Sequence, residues 1–319
     1  MIAAAVLGLG SIGLRHAGNL QRLGASVIGF DPDESRRAAL TELGGRAVLS
    51  RDEAVRAAEA VVVASPNACH LADLQATAAT GRHVFVEKPI AHTEDGLNEV
   101  LEAFSTKGRI VFAGLILRFH PAVRAARELI AAGELGAMLW ARLQMSDYLP
   151  AWRPMQDHRN GYTADPATGG VLFDVIHEFD LANFLLGPGS VAAAAARNTG
   201  TLELPVEDCA DVVLRHESGP LSAIHVDYVT RPRRRVTEVA GTLGVLEIDL
   251  DARRLRVSTA AGTAPLDKSF AGSYADDFVI EMKSFLDCVA GRGTPPCDGR
   301  EAAAVLRQVI AARQLCGRG

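Results

Sequence analysis

The sequence predicts an α/β domain followed by an α+β domain, the first built on a doubly wound parallel sheet and the second on an open, mostly antiparallel sheet. Short apolar runs alternate with helix-like stretches over the first third of the chain, as βαβ units require. Alternating apolar and polar residues then mark half-exposed strands in the second half. A length of 319 residues suits two domains, which we place at residues 1–118 and 119–319.

The bulk composition predicts a soluble globular protein whose partner is a small molecule. Hydrophobic residues make up 48% of the chain and charged residues 22%, and the formal charge is −5. A net negative chain argues against nucleic-acid binding. No apolar run approaches the roughly 18 residues of a membrane span, so we expect no membrane partner. The apolar N-terminus lacks the basic region of a signal peptide, which predicts a cytoplasmic protein.

A glycine motif, Gly8-Leu9-Gly10-Ser11-Ile12-Gly13, comes directly after the first apolar run and opens a helix-like stretch. Gly8 permits a tight turn, Gly10 lets the backbone approach a pyrophosphate, and Gly13 lets the helix pack close to the strand. The amides at the start of that helix, those of Ser11 and Ile12, then face the phosphates. The pattern predicts a dinucleotide site in a Rossmann domain.

The second apolar run, Ala25–Phe30, ends at Asp31. At this distance from the glycines an acidic side chain accepts hydrogen bonds from the adenosine ribose. A carboxylate there repels the 2′-phosphate of NADP, which favours NAD as the cofactor. Arg36 and Arg37 lie just downstream and keep NADP open as an alternative, although solvated arginines on a helix surface explain them as well.

Two later strands end in segments that can carry chemistry. Ala60–Ala64 runs into Ser65-Pro66-Asn67, and His83–Val86 runs into Glu87-Lys88-Pro89. The carboxyl ends of parallel strands line the ligand crevice of a doubly wound sheet, so we expect both segments to contact the cofactor. His70, in the helix that follows Asn67, is a further cofactor candidate, and a structural cap role fits it equally well. Lys88 can reach a substrate hydroxyl and a ribose together, although many lysines before proline are simple turn residues.

A third segment, Gly169–Asp180, places Asp174, His177 and Asp180 at successive steps of three residues. If the segment is one helix, these side chains share a face, and a histidine beside carboxylates is the commonest general base. A buried histidine satisfied by its neighbours, or charges on an amphipathic helix, are the alternatives. A metal site is disfavoured, because the dinucleotide chemistry requires none and the five scattered cysteines form no CxxC pair.

Taken in order, these motifs resemble the Gfo/Idh/MocA oxidoreductases, a family that includes glucose–fructose oxidoreductase and inositol dehydrogenase. The resemblance rests on the glycine motif, on Ser65-Pro66-Asn67 with His70, and on Glu87-Lys88-Pro89. It continues through Arg118-Phe119-His120-Pro121 and Gly133-Glu134-Leu135-Gly136. It implies an open second sheet whose exposed face joins the chains of a homodimer or homotetramer.

The resemblance also implies roles for three residues. His177 removes the proton of a hydroxyl while hydride leaves the same carbon for C4 of the nicotinamide. Lys88 hydrogen-bonds the reacting oxygen and a cofactor ribose, and Asp174 orients the substrate or the histidine. Many members of the family place the histidine four positions after the aspartate, whereas His177 follows Asp174 by three. This difference puts the role of Asp174 in question.

The segment before the glycines of the third motif resembles one subgroup of the family, associated with sialic-acid-like and other surface-sugar biosynthesis. The shared residues are Tyr148-Leu149-Pro150, Trp152, Pro154, Asp157-His158-Arg159 and Tyr162. Trp152 is expected to stack on a sugar face, and Arg153 or Arg159 to pair with a carboxylate or phosphate. The predicted substrate contacts are Arg118, Tyr148, Trp152, Arg159 and Tyr162. A packed connecting loop with a polar rim is the alternative.

The second domain is expected to contain five strands and two long helices. The strands are Trp140–Tyr148, Asp211–His216, Leu221–Thr230, Arg235–Ala240 and Gly244–Leu250, and the helices are Asp276–Val289 and Arg300–Leu315. The basic run Arg231-Pro232-Arg233-Arg234-Arg235 is expected to face solvent.

The predicted function is NAD(P)-dependent hydride transfer to or from the hydroxyl or carbonyl carbon of a sugar, cyclitol or activated sugar. Two alternatives stay open. One is a glycoside hydrolase that uses bound NAD transiently, and the other is a non-catalytic dinucleotide-dependent regulator, against which the intact Lys88 and His177 argue.

Overall fold

The computed structural model of the protein describes residues 1–152, 154–259 and 266–317. Arg153, one of the two arginines expected to bind an anionic group, lies outside these described residues. The chain divides into two compact units, one of residues 1–116 with 273–306 and the other of residues 117–272 with 307–319. In the described part of the chain, no helix combines the length and the apolar character needed to cross a membrane.

The first unit contains a parallel, doubly wound sheet. Its strands are β1 (Ala3–Leu7), β2 (Ser26–Phe30), β3 (Arg46–Ala47), β4 (Ala60–Val63), β5 (His83–Glu87) and β6 (Val111–Gly114). They lie in the order β3-β2-β1-β4-β5-β6. The order reverses at β1, which pairs with β2 on one side and β4 on the other. This strand order confirms the predicted Rossmann sheet. Ligands of such sheets bind at the carboxyl ends of the strands beside this reversal.

Five helices connect these strands within the described residues. They are α1 (Ser11–Arg22), α2 (Glu34–Glu42), α3 (Arg51–Arg56), α4 (Asn67–Thr80) and α5 (Leu97–Thr106). Polar residues set where two of them begin, since Asp33 accepts from the Ser35 amide at the start of α2 and Ser50 accepts from the Glu53 amide at the start of α3.

The second unit contains an open sheet of eight described strands. They are β7 (Met138–Tyr148), β8 (Gly189–Arg197), β9 (Cys209–His216), β10 (Leu221–Asp227), β11 (Val229–Gly241), β12 (Gly244–Asp249), β13 (Arg254–Thr259) and β14 (Leu266–Ser269). Their order is β14-β13-β12-β11-β7-β10-β9-β8. All pairs are antiparallel except β7 with β10, which confirms the predicted mostly antiparallel sheet.

The sequence reading missed β8, β13 and β14, and it merged two strands into one. The predicted strand Leu221–Thr230 is interrupted, because the Asp227 carboxylate accepts hydrogen bonds from the amides of Val229 and Thr230 at 2.9 and 2.7 Å. This Asp-centred turn ends β10 at Asp227 and starts β11 at Val229.

Four helices belong to the second unit among the described residues: α6 (Pro121–Ala131), α7 (Leu149–Trp152), α8 (Val171–Asp174) and α9 (His177–Leu186). Pro121 occupies the first turn of α6, where its missing amide hydrogen costs no helical hydrogen bond.

The C-terminal helices are α10 (Tyr274–Val289) and α11 (Gly299–Leu315), as the sequence predicted to within two residues. Helix α10 packs within the first unit, where the Phe285 ring lies 5.7 Å from the rings of both Phe85 and Phe112. The division of the chain therefore differs from the boundary drawn at residue 118, since residues 273–306 return to the first unit to complete its aromatic core.

Candidate active site

The glycine motif forms a tight loop at the carboxyl end of β1. Gly8 has a φ of +86°, and its amide donates to the Phe30 carbonyl at 2.9 Å. A side-chain carbon on Gly8 would lie 2.5 Å from the Ser65 amide nitrogen, and one on Gly13 would strike the Gly8 carbonyl. At Gly10 the same carbon meets no atom of the described residues within 4 Å. Packing thus explains Gly8 and Gly13, while Gly10 leaves open space beside the start of α1, which fits a pyrophosphate.

The Asp31 carboxylate faces this loop. Its Oδ2 accepts from the Leu9 amide at 2.8 Å, and its Oδ1 accepts from the Asp33 amide at 2.9 Å. Arg36, half exposed, brings Nη1 to 3.4 Å from Oδ2, whereas Arg37 donates to the carbonyls of Asp31 and Pro32. Asp31 therefore sits beside the glycine loop as predicted, and Arg36 is the nearer cation.

His70 links two of the predicted cofactor segments. It is buried, with Nδ1 2.7 Å from the Pro89 carbonyl oxygen and Nε2 2.8 Å from that of Ser65. Burial lowers the pKa of His70, so the neutral ring carries one N–H and donates to one carbonyl at a time. Helix α4 begins at Asn67, directly after Pro66. His70 thus holds the Ser65 loop beside Pro89, which favours the structural role that the sequence left open.

Lys88 follows β5, and the residue before it is firmly anchored. His16 Nε2 lies 2.7 Å from Glu87 Oε1, and the Lys88 amide donates to Glu87 Oε2 at 3.2 Å. Burial by itself raises the pKa of Glu87, but the hydrogen bond and charge of His16, with the charge of Lys88, outweigh burial and lower it. Glu87 is therefore an ionised carboxylate that fixes the Lys88 backbone. The Lys88–Pro89 peptide bond is cis.

The segment predicted as one helix is two short helices. Helix α8 ends at Asp174, Val175 leaves the helical range with φ −96° and ψ 28°, and α9 begins at His177. The stretch 171–182 is fully described, and every residue in it is buried except His177. His177 is therefore the one partly exposed residue of this stretch.

Two tyrosine hydroxyls hold the Asp174 carboxylate. Tyr162 donates to Oδ1 at 3.0 Å. The Tyr228 hydroxyl lies 3.1 Å from Oδ2 and 3.1 Å from the Gly170 carbonyl oxygen. Burial, and then the neighbouring charge of Asp174, raise the pKa of Tyr228 well above its ordinary value, so Tyr228 is a neutral hydrogen-bond donor.

Two buried ion pairs anchor α9. Arg118 Nη2 lies 2.6 Å from Asp180 Oδ1, and Arg235 Nε donates to Glu178 Oε1 at 2.9 Å. Asp180 is therefore paired with Arg118, whereas the Asp174 carboxylate binds two tyrosine hydroxyls. The prediction that the basic run faces solvent is wrong for Arg235. Its side chain is buried, because it pairs with the buried Glu178 carboxylate.

A small cavity of about 40 Å³ lies under the loop that follows β7. Trp152, His158 and Tyr162 are among its lining residues. The Trp152 ring meets the Tyr228 ring edge-on, with centroids 5.6 Å apart. Two of the three aromatic residues predicted to contact substrate, Trp152 and Tyr162, therefore line one cavity. Tyr162 also binds Asp174.

The remaining predicted substrate contacts have partners within the second unit. Arg159 pairs with Asp157 at 2.9 Å and with Glu203 at 2.8 Å, and its hydrogen bond lowers the pKa of Asp157 to about 2. The Arg231 guanidinium carbon lies 3.3 Å from the centroid of the Tyr148 ring. These contacts favour structural roles for Arg159 and Tyr148.

Sequence reasoning missed His16, Tyr228 and the buried Glu281 of α10. His16 follows Gly13 by three residues on α1, so helical spacing from the glycine motif is the signal that points to it. Tyr228 carries no such signal, because Asp174 and Gly170 are distant from it in sequence. Among the residues that the structure describes, no three potential metal ligands cluster together.

Comparison with known proteins agrees with this architecture. Residues 2–115 match the family described as "Oxidoreductase family, NAD-binding Rossmann fold", and residues 123–247 match "GFO/IDH/MocA C-terminal domain". The 1,5-anhydro-D-fructose reductase of Ensifer adhaerens is 28% identical over 89% of this chain and 86% of its own length. The scyllo-inositol 2-dehydrogenase (NAD(+)) of Bacillus subtilis (strain 168) is 26% identical over 98% and 93%.

A solved structure shows the same fold at low identity. A levoglucosan dehydrogenase in complex with NADH and levoglucosan superposes with a TM-score of 0.90 at 18% identity, covering 99% of this chain and 97% of that one. Since the two family matches together span well over half of the sequence, the chain belongs to the Gfo/Idh/MocA family of oxidoreductases. It is an NAD(P)-dependent oxidoreductase with an NAD-binding Rossmann domain.

Proposed function

We propose that this enzyme transfers hydride between NAD or NADP and a hydroxyl-bearing carbon, or the matching carbonyl, of a sugar, cyclitol or activated sugar. The observation that carries the proposal is the accessibility of His177 within a stretch that is otherwise buried. Its neighbours in this stretch are buried, while His177 itself is partly exposed, as a group that exchanges a proton with substrate must be. Relatives named as a 1,5-anhydro-D-fructose reductase and a scyllo-inositol 2-dehydrogenase support a polyhydroxylated substrate.

In the proposed oxidation, His177 accepts the hydroxyl proton on an imidazole nitrogen as the carbon that bears the hydroxyl loses hydride. Bound NAD supplies the hydride acceptor, C4 of its nicotinamide. Lys88 donates a hydrogen bond to the same substrate oxygen and stabilises the negative charge that develops there. In the reverse direction His177 returns the proton to the alkoxide oxygen. Asp174 orients the substrate or His177.

The cofactor half of the site is proposed from the first unit. Gly8, Gly10 and Gly13 shape the phosphate loop, with the amides of Ser11 and Ile12 directed at the pyrophosphate. Asp31 accepts from the adenosine ribose, although the Leu9 amide already occupies one of its oxygens. Arg36 beside Asp31 supports some use of NADP.

The rest of the cofactor contacts lie on the two loops that His70 joins. They are Ser65, Pro66 and Asn67 on one loop and Glu87 and Lys88 on the other. His70 itself is proposed to set the spacing of these loops, because both of its ring nitrogens face carbonyl oxygens of the protein.

The substrate contacts are proposed to centre on Trp152 and Tyr162. An aromatic face and a phenolic hydroxyl suit a sugar, whose rings carry apolar C–H faces and polar edges. Arg118, Arg159 and Tyr148 are proposed to shape this region rather than touch substrate, because a carboxylate or a guanidinium group already contacts each one. Nonulosonic acids remain in the proposed substrate range through the subgroup resemblance.

We further propose a cytoplasmic homodimer or homotetramer that assembles through the outer face of the second sheet. Leu139 on β7, Leu243 in the turn between β11 and β12, and Val245 on β12 are exposed large apolar residues of this sheet. Light scattering on the purified protein measures the assembly, and a monomer contradicts it.

The function is tested by following absorbance at 340 nm, the NADH band, with NAD or NADP and a panel of sugars, cyclitols, nucleotide sugars and nonulosonic acids. We expect NADH to accumulate with one compound class. If no compound gives a signal, and the protein instead releases sugar from a glycoside while it retains NAD, net hydride transfer is contradicted and the internally recycled cofactor is favoured.

A further inference from the structure

Tyr228 occupies a tightly fixed position between two strands. It lies between Asp227, the last residue of β10, and Val229, the first of β11, and it is completely buried. Its amide donates to the Asp208 carbonyl at 2.8 Å, and its carbonyl accepts from the Leu149 amide at 3.0 Å. The backbone of Tyr228 is therefore held on both sides, which directs the side chain to one place.

The Tyr228 side chain touches two functional groups. The edge-on contact with Trp152 brings the ring to the wall of the cavity under the loop that follows β7. The hydroxyl reaches both Asp174 Oδ2 and the Gly170 carbonyl. It has one proton to donate, and a hydrogen bond to a carboxylate is stronger than one to a neutral carbonyl. Asp174 is therefore the preferred acceptor.

Tyr162 binds the other oxygen of Asp174 in a different environment. Tyr162 is 41% exposed and lines the cavity, whereas Tyr228 has no exposed surface. A substrate hydroxyl can replace the exposed donor, but it cannot reach the buried one. The hydrogen bond from Tyr228 to Asp174 Oδ2 is therefore permanent, whereas the hydrogen bond from Tyr162 to Oδ1 can be exchanged for one from substrate.

We propose that Tyr228 is the positioning residue of Asp174, and that Tyr162 is the donor which yields to substrate. This inference rests on the proposed role of Asp174 in turnover. Tyr228 acts during the chemical step by holding the carboxylate in one orientation, so it controls kcat. Tyr162 acts during binding, so it controls the KM of the sugar.

A double-mutant cycle tests the assignment, with kcat and KM measured for Tyr228→Phe, Asp174→Asn and the double variant. We expect Tyr228→Phe to lower kcat about tenfold with both KM values within about twofold of wild type. Adding Tyr228→Phe to Asp174→Asn should cause no further loss. Tyr162→Phe should instead lower the KM of the sugar about fivefold, because it removes the donor that a substrate hydroxyl has to displace from Asp174. Tyr274→Phe, a tyrosine 44% exposed on α10, is the control and should leave kcat unchanged.

The assignment is overturned if Tyr228→Phe leaves kcat within about twofold of wild type, or if it lowers kcat about tenfold again in the Asp174→Asn background. An unchanged kcat in Asp174→Asn overturns it as well, by removing the residue through which Tyr228 acts. Wild-type protein without any NADH formation is the separate failure of the proposed function. Thermal melting and NADH binding report folding of each variant.

If Tyr228→Phe does not fold, 3-fluorotyrosine at position 228 replaces it, because this side chain keeps the ring and the hydroxyl. The altered donor strength should change kcat in the wild-type background and leave it unchanged in Asp174→Asn. Equal changes in both backgrounds contradict the assignment.

Discussion

His16 Nε2 lies 2.7 Å from Oε1 of Glu87, the residue directly before Lys88. His16 is completely buried on α1, and the other oxygen of Glu87 accepts from the Lys88 amide. The glycine-loop helix and the lysine loop are thereby tied together by one carboxylate. The backbone of Lys88 depends on this pair, because a carboxylate that is only 12% exposed becomes costly in the folded state when it loses its partner.

His16→Ala is therefore expected to lower the free energy of unfolding by about 2 kcal/mol, through the unpaired Glu87 and the cavity left beside Phe85. Chemical denaturation at pH 7 measures the loss. Arg22→Ala, an exposed residue on the same helix, is the control and should change stability by less than about 0.5 kcal/mol. A loss as small as the control would show that the pair contributes little.

Glu281 on α10 is a second buried carboxyl in this region, and it should make stability depend on pH. Burial first, and then the charges of Glu87 and Asp277, raise the pKa of Glu281 well above the ordinary 4.5. The folded state thus holds a proton that the unfolded state releases above pH 4.5. The stabilising effect of that proton is fully present below pH 4.5 and is lost as pH rises toward the raised pKa.

Glu281→Gln mimics the protonated acid and cannot titrate. We expect it to match wild-type stability near pH 5 and to exceed it by about 1 kcal/mol or more at pH 8. Denaturation curves across this range measure the difference. Glu42→Gln, exposed at the end of α2, should show no such trend. A constant difference between Glu281→Gln and wild type at all pH values would mean that Glu281 is not protonated in the folded protein.

Asp31→Ala is expected to weaken NAD binding about tenfold and to reduce the preference for NAD over NADP, since it removes both the ribose acceptor and the negative charge beside Arg36. Fluorescence titration with NADH and NADPH measures both affinities. The comparison variant, Arg36→Ala, should weaken NADPH alone. A wild-type enzyme that prefers NADPH would contradict the cofactor assignment.

Lys88→Ala and His177→Ala should each lower kcat about a hundredfold or more while NADH affinity stays within about threefold. The first removes the donor that stabilises charge on the reacting oxygen, and the second removes the proton acceptor. Lys268→Ala, an exposed lysine on β14, is the matched control for charge loss. Near-normal turnover in either variant removes that residue from the mechanism.

The sequence predicts those parts of the structure that depend on local pattern. Apolar runs such as Ala60–Val63 can only be central strands, and the glycine motif fixes the turn that follows β1, so the parallel sheet and its ligand edge are readable. Strand β8 was not predicted, because its run of alanines has little β propensity. Strands β13 and β14 escape because they are short and rich in exposed charged or polar residues.

The site itself is only partly readable, because its contacts join residues far apart in the chain. Tyr228 meets Asp174 across 54 residues, and Arg235 meets Glu178 across 57. Neither helical nor strand periodicity in the sequence predicts such pairs. The sequence also does not predict the break in the helix at Val175, since an apolar side chain fits a continuous helix as well as an interrupted one. The spacing of Asp174, His177 and Asp180 therefore suggested one continuous helix, whereas the segment is two short helices.

In the proposed reaction, hydride passes from a substrate carbon to the nicotinamide. Once the substrate class is known, the most direct measurement is the mass of the NADH formed from a substrate that carries deuterium on the oxidised carbon. We expect NADH that carries one deuterium, with a slower single turnover than for the unlabelled compound. NADH without deuterium, or deuterium found only in the released product while NAD stays unreduced, would contradict net hydride transfer to the cofactor.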